Sequence, residues 1–595
     1  MIQCPGCGGA LKFDIPSQQM KCDSCSQLYN PYSINYGTGA EESTEYDVTV
    51  FKCPQCGGEI ISTDETAAAF CSYCGSSNYL QSRVSKEKKP ELIIPFKQSK
   101  QQCKDAYAGF MKRAIFAPNA YKESGRVDGF RGIYMPYWLY DMSQNGPIDI
   151  KSYESHRRGD YIITNHYRLT GYMDNNYNGV SYDASSSFAD DISNEIAPFN
   201  VKDITTFSPA FLSGYYADIA DVGVNTYVDT AKELASEGTF NYLTKKTPIK
   251  GNSLEESKQT IKNKIEGRTV VNVTRSAMFP VWFLSYRSRD RVAYATVNGQ
   301  TGKVSADLPV SIPKYFICAG IISIIIFLVL QLFFTMTPDV VMVAIAIVGL
   351  IGVILYNSEM KSILAKENYE NDLGMQDRME RKKQNRMNAQ TGAEFSYGEN
   401  ETHQAIYQEG ANGQSVMPGQ GLPPKGAGQR PKAGQGSYVL TDNDVKRAKN
   451  KEAGKKGFNL GSLITVVIVV AFFIPAIFGG GAAILSELGF ETVGGLVGLA
   501  AFVVAVILSI SSQNKISKMV SKKGITATIW STVSLLIVTV ISFWDPPNDA
   551  IYYAAAIISM IGLAINLIDL MASYNYIAMR PLPQFEMYQG GDDRA

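Results

Sequence analysis

The sequence predicts a multidomain protein in which two tandem β zinc ribbons precede an α+β soluble domain and an all-α region of six membrane helices. Three observations predict this order. Eight of the ten cysteines form two copies of one pattern near the amino terminus. A segment of about 220 residues with mixed polar and aromatic composition follows, and six apolar runs lie between residues 315 and 571.

The cysteine spacing predicts two metal-binding modules. Each copy has two Cys-x-x-Cys pairs separated by fourteen residues, and each cysteine of the second copy lies 49 positions after its counterpart. The candidate metal ligands are Cys4, Cys7, Cys22, Cys25, Cys53, Cys56, Cys71 and Cys74. Four thiolates complete a tetrahedron around one Zn²⁺ and leave no open coordination position. We therefore expect two structural zinc ions and no catalytic metal.

The residues around the cysteines favour zinc over disulfides. Both first pairs read Cys-Pro-x-Cys-Gly-Gly, at Cys4–Gly9 and Cys53–Gly58, and a glycine after the second cysteine lets the backbone turn around the metal with positive φ. The alternative is four disulfides, which need an oxidising compartment. No charged segment followed by a short apolar core precedes Cys4, so we expect the cysteines to stay reduced.

The charge of the ribbon segment disfavours nucleic acid as a partner. From Met1 to Val84 there are four basic and nine acidic residues, and four minus nine gives a net charge of minus five. Phosphate binding needs the opposite sign. We therefore expect the ribbons to bind proteins.

Six apolar runs have the length of a membrane-spanning helix, about 20 residues. They are Tyr315–Thr335, Pro338–Tyr356, Leu460–Phe478, Phe490–Ser511, Ala527–Trp544 and Ala550–Met571. The turns after the first, third and fifth runs contain no lysine or arginine, whereas the connections on the other side are rich in both. The positive-inside rule then places those connections and both chain termini in the cytosol. The sequence predicts a multi-pass protein of the cell membrane.

Composition sets the domain boundaries. The predicted units are ribbons at 1–32 and 50–82, a cytosolic α+β domain at 86–313, a transmembrane hairpin at 315–356, a charged cytosolic helix at 357–390, a disordered linker at 391–458, four transmembrane helices at 460–572 and a cytosolic tail at 573–595. The linker is rich in Gly, Gln and Pro. A segment of this composition buries too little apolar surface to fold. The charged helix has the composition of an interaction helix and equally of one exposed on all sides.

The soluble domain shows a weak internal duplication. Pro136–Tyr140 and Pro280–Leu284 have similar sequences, and each follows a predicted amphipathic helix, at Ser99–Lys112 and Leu254–Glu266. We interpret this as a repeated helix-plus-sheet unit. Its aromatic residues are expected in the core, because alternating aromatic and β-branched residues are typical of buried strands.

The chain offers little catalytic apparatus. Its three histidines are His156, His166 and His403. The segment Val297–Lys303 resembles a phosphate loop but lacks the required glycine at its start and has Val304 where Ser or Thr is needed, so we expect a hairpin turn at Asn298. Asp218 and Asp221 are candidate acid–base groups, but isolated acids are more often caps or surface residues. The sequence predicts no catalytic residue and no enzyme.

Two other functions remain open from the residues alone. One is a transporter or channel regulated by the ribbons, although Asp569 is nearly the only ionisable residue within the spans and transporters usually bury several. Gly494 and Gly498 have the spacing of a close helix contact. The other is a membrane-tethered nucleic-acid binder, which the acidic ribbons disfavour.

Several motifs resemble a known family. They are the tandem Cys-Pro-x-Cys-Gly-Gly ribbons, Leu92–Phe96, Phe130–Trp138, Phe279–Trp282 and Asn298–Lys303 leading to Asp307–Pro309. In these motifs the chain resembles the TFIIB-type zinc-ribbon membrane proteins of Gram-positive bacteria, some of which are labelled primosomal replication helicases. The helicase label fits poorly because this chain has no Walker loop. The resemblance covers about residues 1–357.

The resemblance implies a role without catalysis. Relatives are similar to the membrane anchors of a bacterial envelope-stress system, which recruit SPFH-type and phage-shock-type proteins to the bilayer. The expected partners are then the lipid bilayer and cytosolic proteins of those types, with self-association of the chain left open. The leading hypothesis is an integral membrane scaffold that displays zinc ribbons in the cytosol as docking modules.

Overall fold

The structure is a computed structural model of the chain. It describes residues 2–34, 45–62, 71–74, 81–122, 127–246, 258–288, 291–331, 337–391, 490–519, 522 and 524–581. The strands are β1 (Leu11–Asp14), β2 (Gln19–Cys22), β3 (Leu28–Tyr29), β4 (Glu45–Lys52), β5 (Glu59–Ser62), β6 (Gln81–Lys88), β7 (Leu92–Ile93), β8 (Arg131–Arg158), β9 (Tyr161–Asp183), β10 (Thr205–Thr206), β11 (Tyr216–Ala217), β12 (Thr269–Ser288), β13 (Arg291–Asn298), β14 (Val304–Ala306) and β15 (Arg580–Pro581). The helices are α1 (Lys100–Arg113), α2 (Asp190–Ile196), α3 (Val228–Lys246), α4 (Lys258–Glu266), α5 (Ile312–Gln331), α6 (Pro338–Glu367), α7 (Leu373–Thr391), α8 (Phe490–Ile516), α9 (Thr528–Trp544) and α10 (Asp549–Ala578).

Two β-sheets organise the soluble part. Among the described residues, β1 to β3 form a small antiparallel sheet, and twelve further strands form one large sheet. β8 and β12 lie at the centre of the large sheet and pair antiparallel from Gln144 opposite Thr269 to Arg131 opposite Phe283. These two strands contain the duplicated sequences. Within those sequences Tyr137, Tyr140, Trp282 and Phe283 are buried, as expected, and Trp138 is half-buried.

The first of the two predicted amphipathic helices begins where local sequence predicts. Ser99 caps α1, because its Oγ accepts from the Gln102 N–H at 3.3 Å and the Gln102 Oε1 accepts from the Ser99 N–H at 2.8 Å. This reciprocal pair satisfies two amides at the helix start. The prediction of Ser99–Lys112 is therefore confirmed. The start predicted for the second helix, residues 254–257, lies outside the described residues, and α4 begins at Lys258.

The second half of the described chain is mainly helical and apolar. Four helices are long and apolar enough to cross a membrane, at Ile312–Val329, Val340–Glu367, Gly495–Ile516 and Asp549–Ala578. These helices indicate a membrane protein. The apolar helix α9 has 17 residues, below the usual spanning length. The run predicted at Leu460–Phe478 lies outside the described residues, so four spanning helices are seen where the sequence predicted six.

The segment predicted as one charged helix is two helices with a bend. α6 continues the second predicted span to Glu367, and Tyr369 in the bend has a φ of 54°. Helix α7 then packs on the soluble domain: its Leu373 N–H donates to Asp190 Oδ2 at 2.8 Å, and Arg378 Nη1 donates to Ser186 Oγ at 2.6 Å. Arg378 is only 5% exposed. Of the two alternatives for this charged segment, α7 is the interaction helix, and its partner is the soluble domain of the same chain.

The end of α10 is also attached to the soluble domain. Arg291 lies with its guanidinium carbon 3.5 Å from the centre of the Tyr576 ring, a favourable cation–π geometry. The Asn575 side chain exchanges two hydrogen bonds with the Val310 backbone, at 2.6 and 2.8 Å. β15 then pairs with β13 at the edge of the large sheet. The soluble domain thus contacts both α7 and α10, although these are separated by about 160 residues of chain.

Candidate metal centres

The eight predicted cysteines form two separate clusters in the structure. In each cluster the four sulfur atoms lie within 4.8 Å of one another. Cys7 and Cys22 are 3.4 Å apart and Cys4 and Cys25 are 3.7 Å apart. In the second cluster both cross pairs, Cys53 with Cys74 and Cys56 with Cys71, are 3.7 Å apart.

These distances fit one Zn²⁺ per cluster. Four sulfurs at 2.3 Å from a tetrahedral ion are about 3.8 Å from one another, whereas a disulfide needs about 2.05 Å. All ten cysteines are free thiols. Because each donor set is four thiolates, it suits a closed structural site and provides no position for a reacting water. The two clusters are compatible with zinc, and the sequence prediction of the ligands agrees with their positions.

The two first knuckles have the same backbone fold. The N–H of Cys4 donates to Gly9 O at 2.7 Å and that of Gly8 to Cys4 O at 2.8 Å. The bonds of Cys53 and Gly57 repeat this pattern at 2.9 and 2.8 Å, and Gly8 and Gly57 share a φ of +72°. This left-handed conformation favours glycine. The repeated Cys-Gly sequence is thus explained by the turn that brings two thiols to one point.

Hydrogen bonds among the thiols and to Tyr29 shift their acidity. The Tyr29 hydroxyl lies 3.4 Å from Cys4 Sγ and lowers the pKa of that thiol to about 6. In the second cluster the hydrogen bond from Cys56 lowers the pKa of Cys53 and the same bond raises the pKa of Cys56. A thiol that donates such a hydrogen bond keeps its proton, so the four thiols do not all ionise without a cation. A metal ion stabilises all four thiolates at once, and its binding would release the remaining protons.

The first ribbon packs against the soluble domain. Phe13 and Phe211 meet edge to face with centroids 5.1 Å apart. The Phe13 N–H donates to Ser213 O at 3.1 Å, and the Ser213 hydroxyl donates to Leu11 O at 2.6 Å. Cys4 and Cys22 are buried, whereas Cys7 and Cys25 are exposed. The first ribbon therefore covers the domain with one side and faces solvent with the other.

The second ribbon is part of the large sheet. Its strand β5 pairs with β4 and with β11, and β11 pairs with the central strand β8. Its four cysteines are all buried, together with Phe51, Ile60 and Tyr73. The Tyr73 carbonyl accepts from the Tyr294 hydroxyl at 2.8 Å. An ion bound here would therefore hold strands of the large sheet in place. The second ribbon is not a separate module.

The candidate acid–base residues have structural partners. Asp218 is buried, which raises its pKa, and it accepts a hydrogen bond from Ser187 Oγ at 2.7 Å. Asp221 accepts from the Ser186 N–H at 2.7 Å and from its hydroxyl at 2.5 Å. Both carboxylates thus hold one serine-rich turn. His156 and His166 lie on exposed parts of β8 and β9, and His403 lies outside the described residues.

Comparison with known proteins gives one informative similarity. The chain is 27% identical over 324 residues to the uncharacterized protein YdjG of Bacillus subtilis (strain 168), and this alignment covers 52% of the chain and 90% of that protein. No family model and no solved structure matches the chain. About half of the chain therefore lies outside this similarity, and the relative's name states no activity.

Proposed function

We propose that the chain is a membrane-embedded scaffold that binds cytosolic proteins. The binding part is the cytosolic body, which consists of the two zinc ribbons and the soluble domain. One observation carries the proposal. Two closed four-cysteine sites lie in the body, and the body also contacts helices α7 and α10. Closed sites favour a structural role that presents a binding surface, because they offer no coordination position for a reaction. The acidic charge of the ribbon segment supports protein partners over nucleic acid.

The proposal includes six spanning helices with both termini in the cytosol. Leu460–Phe478 is the third of them, α9 is the fifth, and the basic connections between spans face the cytosol. Cysteines that bind zinc need the reducing cytosol. Contacts such as Lys314 Nζ with Ala117 O at 2.7 Å attach the start of α5 to the body. By the family resemblance, the partners proposed first are SPFH-type and phage-shock-type proteins.

Partner recovery from membranes tests this function. The full chain is crosslinked in cells, purified in detergent and compared with the double variant Cys56→Ser/Cys71→Ser. We expect cytosolic proteins bound to the full chain to fall at least about tenfold in the variant, because the second site braces the sheet that presents the binding surface.

Cys318→Ser is the matched control, since Cys318 lies in α5 and outside both clusters. Its partner recovery should equal that of the unaltered chain. Identical partners with the double variant, or solute flux through liposomes that contain the purified chain, would contradict the scaffold function.

A further inference from the structure

Three lysines lie together at the ends of two packed apolar helices, α6 and α8. The ammonium group of Lys515 on α8 donates to the backbone and side-chain oxygens of Asn357 on α6, at 2.8 and 2.6 Å. Lys361 lies one turn after Asn357 on the same face of α6, close enough to Lys515 for the two charges to repel. Lys518 follows α8 in a turn in which its N–H donates to Lys515 O at 3.1 Å. We call Lys361, Lys515 and Lys518 the lysine cluster.

The lysine cluster has no negative partner in the part of the chain that the structure describes. Lys522, in the same connection, forms an ion pair with Asp569. Lys515 instead contacts the neutral oxygens of the asparagine. Lys361 and Lys518 are exposed, and neither pairs with a described acidic residue. Three positive charges are therefore left without a counter-charge.

The net charge at this level stays positive when the nearby acids are counted. Residues 492–544 contain no acidic residue and four lysines, at 515, 518, 522 and 523. With Lys361 there are five positive charges, and subtracting Glu359 and Asp569 leaves plus three. Glu359 lies two residues before Lys361 and therefore faces another side of α6. An anion would be attracted to the cluster.

The cluster lies at the depth of the phosphate groups of a bilayer. Asn357 lies 19 residues after Pro338, where α6 begins, which is a rise of roughly 28 Å along the helix. Lys515 lies 20 residues after Gly495, where the apolar part of α8 begins, a rise of roughly 30 Å. The hydrocarbon core of a bilayer is about 30 Å thick. Both helices thus place the lysines at the same membrane surface, on the side where the positive-inside rule predicts the cytosol.

Exposed apolar side chains lie below the cluster, toward the middle of the membrane. Ile354 is 44% exposed and lies two turns before Lys361 on the same face of α6. Ile507 is 61% exposed and lies about two turns before Lys515 on α8. A ligand at the cluster would thus have an anionic group beside the lysines and hydrocarbon beside the isoleucines. A phospholipid with a negatively charged headgroup has both parts, whereas inorganic phosphate has only the first.

We infer that the lysine cluster binds one anionic phospholipid of the cytosolic leaflet, with its phosphate beside the three ammonium groups and its acyl chains along α6 and α8. Lysines next to a spanning helix attract anionic headgroups, and basic pockets between such helices bind them. The site goes beyond the scaffold function, because it requires only that α6 and α8 cross the membrane and needs no protein partner.

Native mass spectrometry of the full chain in detergent tests the inference. Phosphatidylglycerol and phosphatidylcholine with the same acyl chains are added at equal concentrations, and inorganic phosphate is added as a competitor. We expect one phosphatidylglycerol to bind at least about tenfold more tightly than phosphatidylcholine, because each lysine near the headgroup contributes about a factor of five. Inorganic phosphate at the same concentration should displace none of it.

Two charge variants test the place of the site. Lys361→Gln/Lys518→Gln removes two exposed charges and keeps the bonds of Lys515, and it should reduce the preference for phosphatidylglycerol to less than about twofold. Lys361→Arg/Lys518→Arg should keep the preference. The matched control is Lys21→Gln/Lys202→Gln, which removes the same charge from exposed positions of the soluble part and should change nothing. Metal content and melting temperature equal to those of the unaltered chain verify the fold of each variant.

Equal affinity of the unaltered chain for the two lipids would overturn the inference. Displacement of the lipid by inorganic phosphate would assign the cluster to the free anion instead. A preference that persists in Lys361→Gln/Lys518→Gln would place the lipid elsewhere, and an equal loss in the control variant would show an effect of total charge alone. Each of these results leaves the scaffold function unaffected, since partner recovery is measured separately.

Discussion

Replacing Cys56 by serine is expected to remove one of two zinc ions and to unfold the sheet around β4, β5 and β6. Cys56 is 2% exposed and lies with Ile60 and Tyr73 in a small cluster that has few other apolar side chains. A structural zinc site contributes on the order of 10 kcal/mol to folding in small modules, which is comparable to the whole stability of a domain. We expect a melting temperature of the soluble domain at least about 15 °C lower.

Cys7→Ser is the informative comparison for this result. Cys7 is exposed, and its ribbon is a separate three-stranded sheet on the surface of the domain. The variant should also lose one ion, but the large sheet should stay folded, with a smaller decrease in melting temperature. Mass spectrometry of metals and calorimetry measure both effects. Two retained ions or an unchanged melting temperature in Cys56→Ser would refute the bracing role of the second site.

Replacing Arg378 by alanine is expected to release α7 from the soluble domain. Arg378 donates to Ser186 Oγ and lies 3.6 Å from Asp221 Oδ2. Removing one partner of a buried ion pair costs roughly 3–5 kcal/mol. We expect about 2–3 kcal/mol here, because Asp221 is 30% exposed and water can solvate it. The N–H of Leu373 would also lose its acceptor Asp190, because that contact depends on the position of α7.

Hydrogen exchange of the full chain in detergent measures this release. A loss of 2–3 kcal/mol corresponds to amide exchange about 30-fold to 150-fold faster in α7. Glu380→Ala is the matched control, because Glu380 is exposed on the same helix and surface substitutions change stability by less than about 0.5 kcal/mol. Equal protection of α7 in both variants would show that Arg378 does not hold the helix.

Sequence patterns were sufficient where a local rule decides the structure. The Cys-x-x-Cys spacing predicted which eight cysteines gather into two clusters of four, since the distance between paired thiols is set within one turn. The hairpin turn at Asn298 is confirmed by the pairing of β13 with β14. The Asn298 side chain accepts from the N–H groups of Gln300 and Thr301, both at 2.9 Å, which is how asparagine stabilises a turn.

Long-range structure was missed because no local pattern specifies it. The charged sequence of α7 is compatible with a fully exposed helix and with a helix that buries Arg378. The burial depends on a distant partner, the turn at Ser186, which no local pattern of α7 indicates. Likewise, β5 reads as an ordinary ribbon strand, and its pairing with the two residues of β11 has no sequence signal. The length of the β8–β9 hairpin, from Tyr137 opposite Asp183 to Arg158 opposite Tyr161, was not predicted, because the alternation of side chains along a strand does not show where its pairing ends.

The metal content of the purified full chain tests the account most directly. The chain is extracted in mild detergent under reducing conditions, without added metal and without an affinity tag that binds metal. Inductively coupled plasma mass spectrometry should find two zinc atoms per chain. Material that is folded by calorimetry and yet contains no zinc would contradict the account.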